Sequence, residues 1–405
     1  MIYFDNAATT LLKPPEVGQA VLEGLGSFGG VGRGVHPASL AAGRAVYQAR
    51  SRVAQLLGAP GAASVSFANN ATMALNIAID GLARPGSRLV TTAASHNSVL
   101  RPFNRLRDER GCTVEVAPVG PDGALDFDAY ERLLREGDVT LVAATHASNL
   151  TGDVYDVGRM AAAAHEVGAL FVLDAAQTAG AIPVDMQALG ADVLCFTGHK
   201  SLMGPQGTGG LCVANGVDVP PLLEGGSGTH TYDERHPRFM PEALEAGTIN
   251  AHGLAGLATG VAHLQQLGMD AVADTVHAFT ERFEAGALAI EGVRVLGGHG
   301  GVDRTGVVAL VAEGVDPSLL ADALARDFGI CTRAGAHCAP LMHRALGTEA
   351  TGAVRFSFCH LNTAKEIEAG LAALETCVKR LRAGGYAPAR DRRYESDGTI
   401  RKERA

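Results

Sequence analysis

At 405 residues with 51 glycines, the chain is long enough for two domains and has the composition of a compact, loop-rich α/β protein. A formal charge of −9 disfavours nucleic acid as the main partner, and no apolar run reaches the roughly 18 residues of a membrane span. Seven cysteines without a Cys-x-x-Cys pair, behind an N-terminus lacking a charged signal-type leader, point to reduced thiols in a cytoplasmic protein rather than a disulfide framework or a zinc site.

In chain order, Met1 to Thr10 reads as an extended stretch within an N-terminal arm of residues 1–14. Pro14-Pro15 opens a helix, because the first turn tolerates proline. The glycine-rich segment Gly26 to Ser39 carries Arg33 and His36 and reads as a loop over an active site. From Leu40 to Leu57 the periodicity is helical, and Gly58 stops it. Ser64-Val-Ser-Phe67 is a brief strand, after which Ala68 to Asn76 opens a helix. Small polar residues at a helix N-terminus offer free N–H groups to an anion, which makes Ala71 and Thr72 candidate phosphate contacts; a plain helix cap at Asn70 or Thr72 is the alternative. No dinucleotide or P-loop fingerprint occurs in the chain.

Strand and helix signals then alternate. Strands are expected at Arg88–Thr92, Thr113–Val116, Val139–Ala144, Leu170–Leu173, Val193–Phe196 and Gly210–Val213, and helices around Val99–Asp108, Phe127–Leu134 and Val157–Val167. This βα alternation predicts a mainly parallel sheet, seven-stranded when Ser64–Phe67 is included, with its site at the strand ends. At one such end stands Asp174, and at the next Thr197-Gly-His-Lys200, followed by Gly204, Gly207, Gly209 and Gly210. A lysine in an enclosed, glycine-lined place loses hydration, which lowers its pKa and frees its amine for Schiff-base chemistry. A lone lysine in such a loop is ordinarily a surface residue, and a lone strand-end aspartate a helix cap. Together they match the needs of pyridoxal phosphate (PLP), a lysine for the aldehyde and a carboxylate for the ring nitrogen.

Beyond Thr248-Ile-Asn250 a helix is expected from Leu254 to Leu267, then a smaller α+β unit with strands at Gly306–Leu310, Ile330–Arg333 and Val354–Phe358 and helices at Leu319–Phe328 and Lys365–Leu381. The expected division is a large domain of residues 15–255, a small domain of 256–383 and a charged mobile tail of 384–405. Cys338 is the thiol with polar company. Arg333 and His337 would favour its thiolate, whereas apolar settings would suppress Cys195 and Cys212. His337 and His343 have no further spaced Cys or His pair, so a metal site is not expected.

These blocks resemble the class V aminotransferase-like PLP enzymes, and within them the cysteine desulfurases and selenocysteine lyases. The resemblance runs through Tyr3-Phe-Asp-Asn-Ala-Ala-Thr9, Gly32-Arg-Gly-Val-His36, Asn70-Ala-Thr72, His96, Ser148-Asn149, Asp174-Ala-Ala-Gln177, Thr197-Gly-His-Lys200, Glu245-Ala-Gly-Thr248, Arg333-Ala-Gly-Ala-His-Cys338 and Val354-Arg355, leaving out about the last twenty residues. It implies fold type I, PLP as cofactor and a homodimer in which Glu245 to Thr248 reaches the neighbouring subunit's phosphate. By the same resemblance Lys200 carries the cofactor and His96 stacks on its ring, while Asp174 pairs with the ring nitrogen and Asn149 and Gln177 bond the ring hydroxyl. Ala71, Thr72, Thr197, His199 and Thr248 would hold the phosphate; Arg355, Arg33, His36 and Asn6 would meet the substrate, and Cys338 would accept its sulfur.

The implied reaction turns L-cysteine into L-alanine with a persulfide on Cys338, with L-selenocysteine as a further substrate and a sulfur-acceptor protein as partner. Two positions depart from the pattern. Ser95 precedes His96 where desulfurases often carry an acid, and Ala336 stands where a larger residue is common. The rival readings are an aminotransferase or C–S lyase of the same fold, and a non-catalytic PLP-binding or sulfur-relay protein.

Overall fold

The computed structural model describes residues 1–32, 34–298 and 303–384. Arg33 and the tail beyond Gly384 therefore lie outside the described residues. The large sheet has seven strands: β2 (Val65–Ala68), β3 (Arg88–Thr92), β4 (Thr113–Ala117), β5 (Val139–Thr145), β6 (Leu170–Asp174), β7 (Val193–Thr197) and β8 (Gly209–Val213). Their spatial order is β2-β8-β7-β6-β5-β3-β4, and β8 alone runs against its neighbours. Successive residues of a strand point to opposite faces, and both faces are buried here. Val142, Phe171, Leu173, Leu194 and Phe196 enter one core, while Leu141, Ala143, Val172, Val193 and Cys195 enter the other.

Helices α1 (Pro15–Ser27), α2 (Pro37–Leu56), α3 (Ala71–Leu82), α4 (Asn97–Arg110), α5 (Phe127–Arg135) and α6 (Val157–Glu166) connect and cover these strands. Their starts are set locally. Asn70, Asp126 and Asp156 each accept an N–H of the first turn, which the helix itself cannot satisfy. Helix α7 (Ala251–Leu267) packs on α1 and α2 through Leu254, Leu257, Val261 and Leu264. A division at 255/256 thus falls inside α7, and the packing partner changes at Gly268.

Helix α8 (Met269–Leu288), absent from the sequence reading, follows at once and packs with α11 (Ala364–Arg382) behind the small sheet. That sheet is antiparallel, in the order β12 (Arg333–Gly335), β13 (Ala353–Ser357), β10 (Val307–Ala312), β9 (Val293–Val295). The expected strand Ile330–Arg333 divides in two. Its first part, β11 (Ile330–Cys331), pairs in parallel with β1 (Ile2–Tyr3) of the arm. Helices α9 (Pro317–Phe328) and α10 (Pro340–Ala345) complete the unit.

The arm is part of this architecture rather than a loose end. Phe4 is fully buried among Phe283, Phe356 and Phe358, with ring centroids 5.0–6.4 Å away. Thr9 and Thr10 reach the other domain, where both hydroxyls donate to the His199 carbonyl at 3.2 and 3.1 Å. Nine residues therefore tie the small domain to the Lys200 loop.

Candidate active site

The C-terminal ends of β6 and β7 put Asp174 and the Thr197–Lys200 turn side by side, as parallel α/β sheets do with their ligand-contacting groups. Two glycines allow the turn. A Cβ at Gly198 would sit 2.2 Å from the Thr208 hydroxyl, and one at Gly209 2.7 Å from the Asn70 backbone. Burial lowers the Lys200 pKa to about 8; Asp174 and Asp5 oppose that change, while Arg355 and Arg333 reinforce it. The Asp174 carboxyl is raised by burial, against a backbone N–H from Ala176 at 3.0 Å and the Lys200 charge. A buried carboxylate this sparsely bonded favours a cationic neighbour.

His96 follows β3 and caps α4, its Nδ1 accepting the Ser98 N–H at 3.0 Å. Burial, then the charges of Lys200, Arg333, Arg101 and Arg355, hold it near pKa 4. The ring is neutral at physiological pH, and because Nδ1 accepts, its proton lies on Nε2. A neutral flat ring at this place can stack on a heterocycle. Ser95, where an acid was expected from the resemblance, is fully buried between the Thr91 and Thr92 hydroxyls at 2.9 and 3.3 Å.

At the start of α3, Ala71 is buried and Thr72 exposed, the Thr72 hydroxyl lying 2.8 Å from that of Ser98. Thr197 Oγ1 is buried with no hydrogen-bond partner among the described residues. His199 Nδ1 lies 3.0 Å from the Thr9 hydroxyl, and burial holds the ring near pKa 4. An unsatisfied hydroxyl, neutral imidazoles and free helix N–H groups form a donor set suited to a phosphate. Gln177 donates to the Ala7 carbonyl at 3.3 Å. Asn149 Oδ1, like the Thr197 hydroxyl, is buried without a partner. These orphaned groups beside Lys200 and Asp174 fit a polar, phosphorylated pyridine cofactor.

Cys338 comes from the small domain. Ala339 N donates to Ala336 O at 3.0 Å, and His337 and Cys338 between them have φ of 51° and 56°. Positive φ at both central residues defines a primed β-turn, which non-glycine residues hold at about 1 kcal/mol or more each. Two bonds from the large domain secure it: Asn149 Nδ2 to the His337 carbonyl at 2.6 Å and Asn97 N to the Cys338 carbonyl at 3.0 Å. The turn leaves Cys338 as the exposed cysteine of the chain. Burial pushes the Cys212 thiol up to about 12 and raises that of Cys195 well above its ordinary value, as their apolar settings implied.

His337 requires a correction. Its Nε2 donates to the Arg333 carbonyl at 3.1 Å, its ring stacks on His343 with centroids 5.9 Å apart, and burial takes its pKa to about 3. A neutral ring lends the thiolate no positive charge, so Arg333, exposed on β12, is the remaining cation of the pair.

Arg355 lies opposite Arg333 across β12 and β13. Its Nη1 donates to the Asn149 carbonyl at 2.9 Å and its Nη2 to Asp5 Oδ1 at 3.0 Å. Asn6 is buried beside it, donating to the Ser357 carbonyl at 2.8 Å and to Asn362 Oδ1 at 3.2 Å. His36 and the Thr248 segment make their hydrogen bonds outside this group. His36 is exposed and caps α2 through Ser39. Thr248 is exposed in a segment anchored by Glu245, whose carboxylate takes both Arg50 Nη groups at 2.7 and 2.5 Å and the Phe67 N–H at 2.5 Å.

Three residues near the site went unassigned from sequence. Asp5 sits inside a quoted block without a role. Lys13, lowered to about 8 by burial, donates to the Thr10 hydroxyl at 2.6 Å and the His199 carbonyl at 3.2 Å. His146, just after β5, is buried near pKa 4 with an unpartnered Nδ1; its place at a strand end was the available signal. Among the described residues no cluster of His, Cys, Asp or Glu is arranged to hold a metal ion.

Known proteins share this frame. The family model for aminotransferase class-V matches residues 2–369. A probable cysteine desulfurase of Methanothermobacter thermautotrophicus is 35% identical over 91% of this chain and 92% of its own. A cysteine desulfurase of Cereibacter sphaeroides is 37% identical over 94% and 97%. Among solved structures, the apo cysteine desulfurase of Thermococcus onnurineus superposes with a TM-score of 0.87 at 34% identity, covering 93% of this chain and 94% of its own. With this fold, this order of blocks and a family match over most of its length, the chain belongs to the class-V aminotransferase family.

Proposed function

We propose that the protein is a pyridoxal-phosphate-dependent cysteine desulfurase that converts L-cysteine to L-alanine and keeps the sulfur as a persulfide on Cys338. The observation that carries this reading is the exposed Cys338 turn, bonded through Asn149 and Asn97 to the domain that holds Lys200 and Asp174. An aminotransferase has no use for a thiol held there. The full-length similarity to proteins named cysteine desulfurase supports the same reading.

Lys200 would hold the cofactor and Asp174 would pair with its ring nitrogen; Thr197, His199, Ala71 and Thr72 would take its phosphate. Bound PLP supplies an electron sink for the carbanion left at the substrate Cα. Arg355 would grip the substrate carboxylate bidentately through its guanidinium, while Asn149 and Gln177 would bond the cofactor's ring hydroxyl. The neutral Lys200 amine would take the Cα proton, a task eased by its lowered pKa. Cys338 thiolate then attacks the substrate sulfur: the new S–S bond forms as the C–S bond breaks, and the released electron pair and a proton end on the carbon that becomes the alanine methyl. The exposed persulfide would be open to an acceptor protein or a reductant.

A homodimer is part of the proposal. Exposed Leu22, Leu25, Tyr47 and Leu223, with a cavity of about 410 Å³ lined by Phe67, Leu222, Leu223 and Thr248, suit a second copy that receives the Thr248 segment. The test is product analysis with L-cysteine and no keto acid. Alanine in step with persulfide on Cys338 supports the reading; pyruvate and ammonia would replace it with a lyase, and a keto-acid requirement with an aminotransferase.

A further inference from the structure

Arg355 carries an internal carboxylate. The guanidinium is only 1% exposed; Nη1 is committed to the Asn149 carbonyl and Nη2 to Asp5, while Nε is buried without a hydrogen-bond partner. Nε and Nη2 form the side-on edge of the fork, the pair of parallel donors that a carboxylate takes with both oxygens. Asp5 takes that edge with one oxygen and leaves its other donor orphaned, an arrangement that calls for a further acceptor.

The arm fixes Asp5 there from both sides. Phe4 is buried in the small-domain core, its carbonyl accepting the Ser357 N–H at 2.7 Å. Asn6 Nδ2 and Ala7 N bond Ser357 O and Oγ at 2.8 and 2.9 Å. The Asp5 side chain itself is 20% exposed, so it has solvent to move into while its backbone stays in place.

We propose that Asp5 is a stand-in for the substrate carboxylate and thereby sets substrate affinity and specificity. It neutralises Arg355 in the empty site and is displaced from Nη2 when an amino-acid carboxylate takes the whole Nε–Nη2 edge. The displaced anion stays beside the bound substrate, where it disfavours amino acids with a second acidic group and leaves neutral ones such as cysteine and alanine. The inference rests on Arg355 as the substrate fork. Asp5 acts through Arg355 and is a positioning residue.

The test titrates holoenzyme with L-alanine, which has no sulfur to lose, following the visible absorbance of the bound cofactor. Asp5→Asn keeps the shape and removes the competing charge, and should lower the alanine Kd by about fivefold to tenfold. L-aspartate binding should tighten more than alanine binding, and Asp5→Glu should return both towards wild type. Alanine binding that is unchanged or weaker in Asp5→Asn, while Arg355→Lys weakens it, overturns the stand-in and keeps the fork. Indifference to Arg355→Lys overturns both.

Discussion

Lys200 shows how much one position can owe to its surroundings. An unperturbed lysine titrates near 10.4, so at neutral pH less than about one part in a thousand is neutral. Burial at the end of β7 takes it to about 8, which raises that share to roughly a tenth. In the cofactor-free protein, Lys200 should react with an added aldehyde with a midpoint near pH 8, measured by borohydride trapping and peptide mapping. A midpoint above 10 would mean the burial has no effect. In holoenzyme, Lys200→Ala should lose the visible absorbance that borohydride bleaches, and label recovered on another lysine would sink the assignment. Lys200 and Asp174 were legible in the sequence because strand-end position and residue type together mark such a site. The neutrality of His337 was not. It depends on burial against His343 and on a bond to the Arg333 carbonyl, neither visible as a motif.

Elements carry the next level. The Glu245–Arg50 pair, with side chains 6% and 9% exposed, joins α2, β2 and the segment that presents Thr248. Removing one partner of a buried pair leaves the other charge uncompensated, at about 3–5 kcal/mol. Glu245→Ala should therefore lower the unfolding free energy by about that amount in denaturant melts, and a loss below about 1 kcal/mol would show the pair to be solvated. Most elements of the large domain could be read from sequence, since strand stretches such as Leu170–Leu173 are apolar throughout and helices such as Val157–Glu166 begin at a capping residue. The small domain was harder. Helix α8 has its buried Val272, Val276, Phe283 and Ala287 at helical spacing but begins one residue after α7 ends, with only Gly268 between them. β9 has three residues and α10 six, too few for periodicity to register. The primed turn at His337-Cys338 lacks the Asn-Gly signature of its class, because bonds from the large domain hold it rather than local preference.

Among the described residues, the protein joins a seven-stranded and a four-stranded sheet, and Asn149 and Asn97 from the first unit bond the Cys338 turn of the second. Its burial of histidines has a consequence for pH. His96, His146, His199 and His360 are held near pKa 4 and His337 near 3, against 6.5 when unfolded. Between these values the unfolded chain binds more protons than the folded one, so stability rises with pH there and is lost as pH falls from 6.5 towards 4. Equilibrium unfolding at pH 7.5, 6 and 5 should show a steep loss across that window, whereas flat stability would mean the rings are hydrated. Light scattering should find a dimer at working concentration, and an active monomer would contradict the shared site. The central claim, that the small domain delivers a nucleophilic thiol to chemistry prepared by the large one, is tested most directly by kcat/KM for L-cysteine and L-selenocysteine in wild type and Cys338→Ala. Loss of a covalent nucleophile should remove activity on L-cysteine by several orders of magnitude. Activity on L-selenocysteine should fall less, because the weaker C–Se bond needs less nucleophilic help while Lys200 and Asp174 remain in place. Undiminished turnover of L-cysteine by Cys338→Ala would contradict the account.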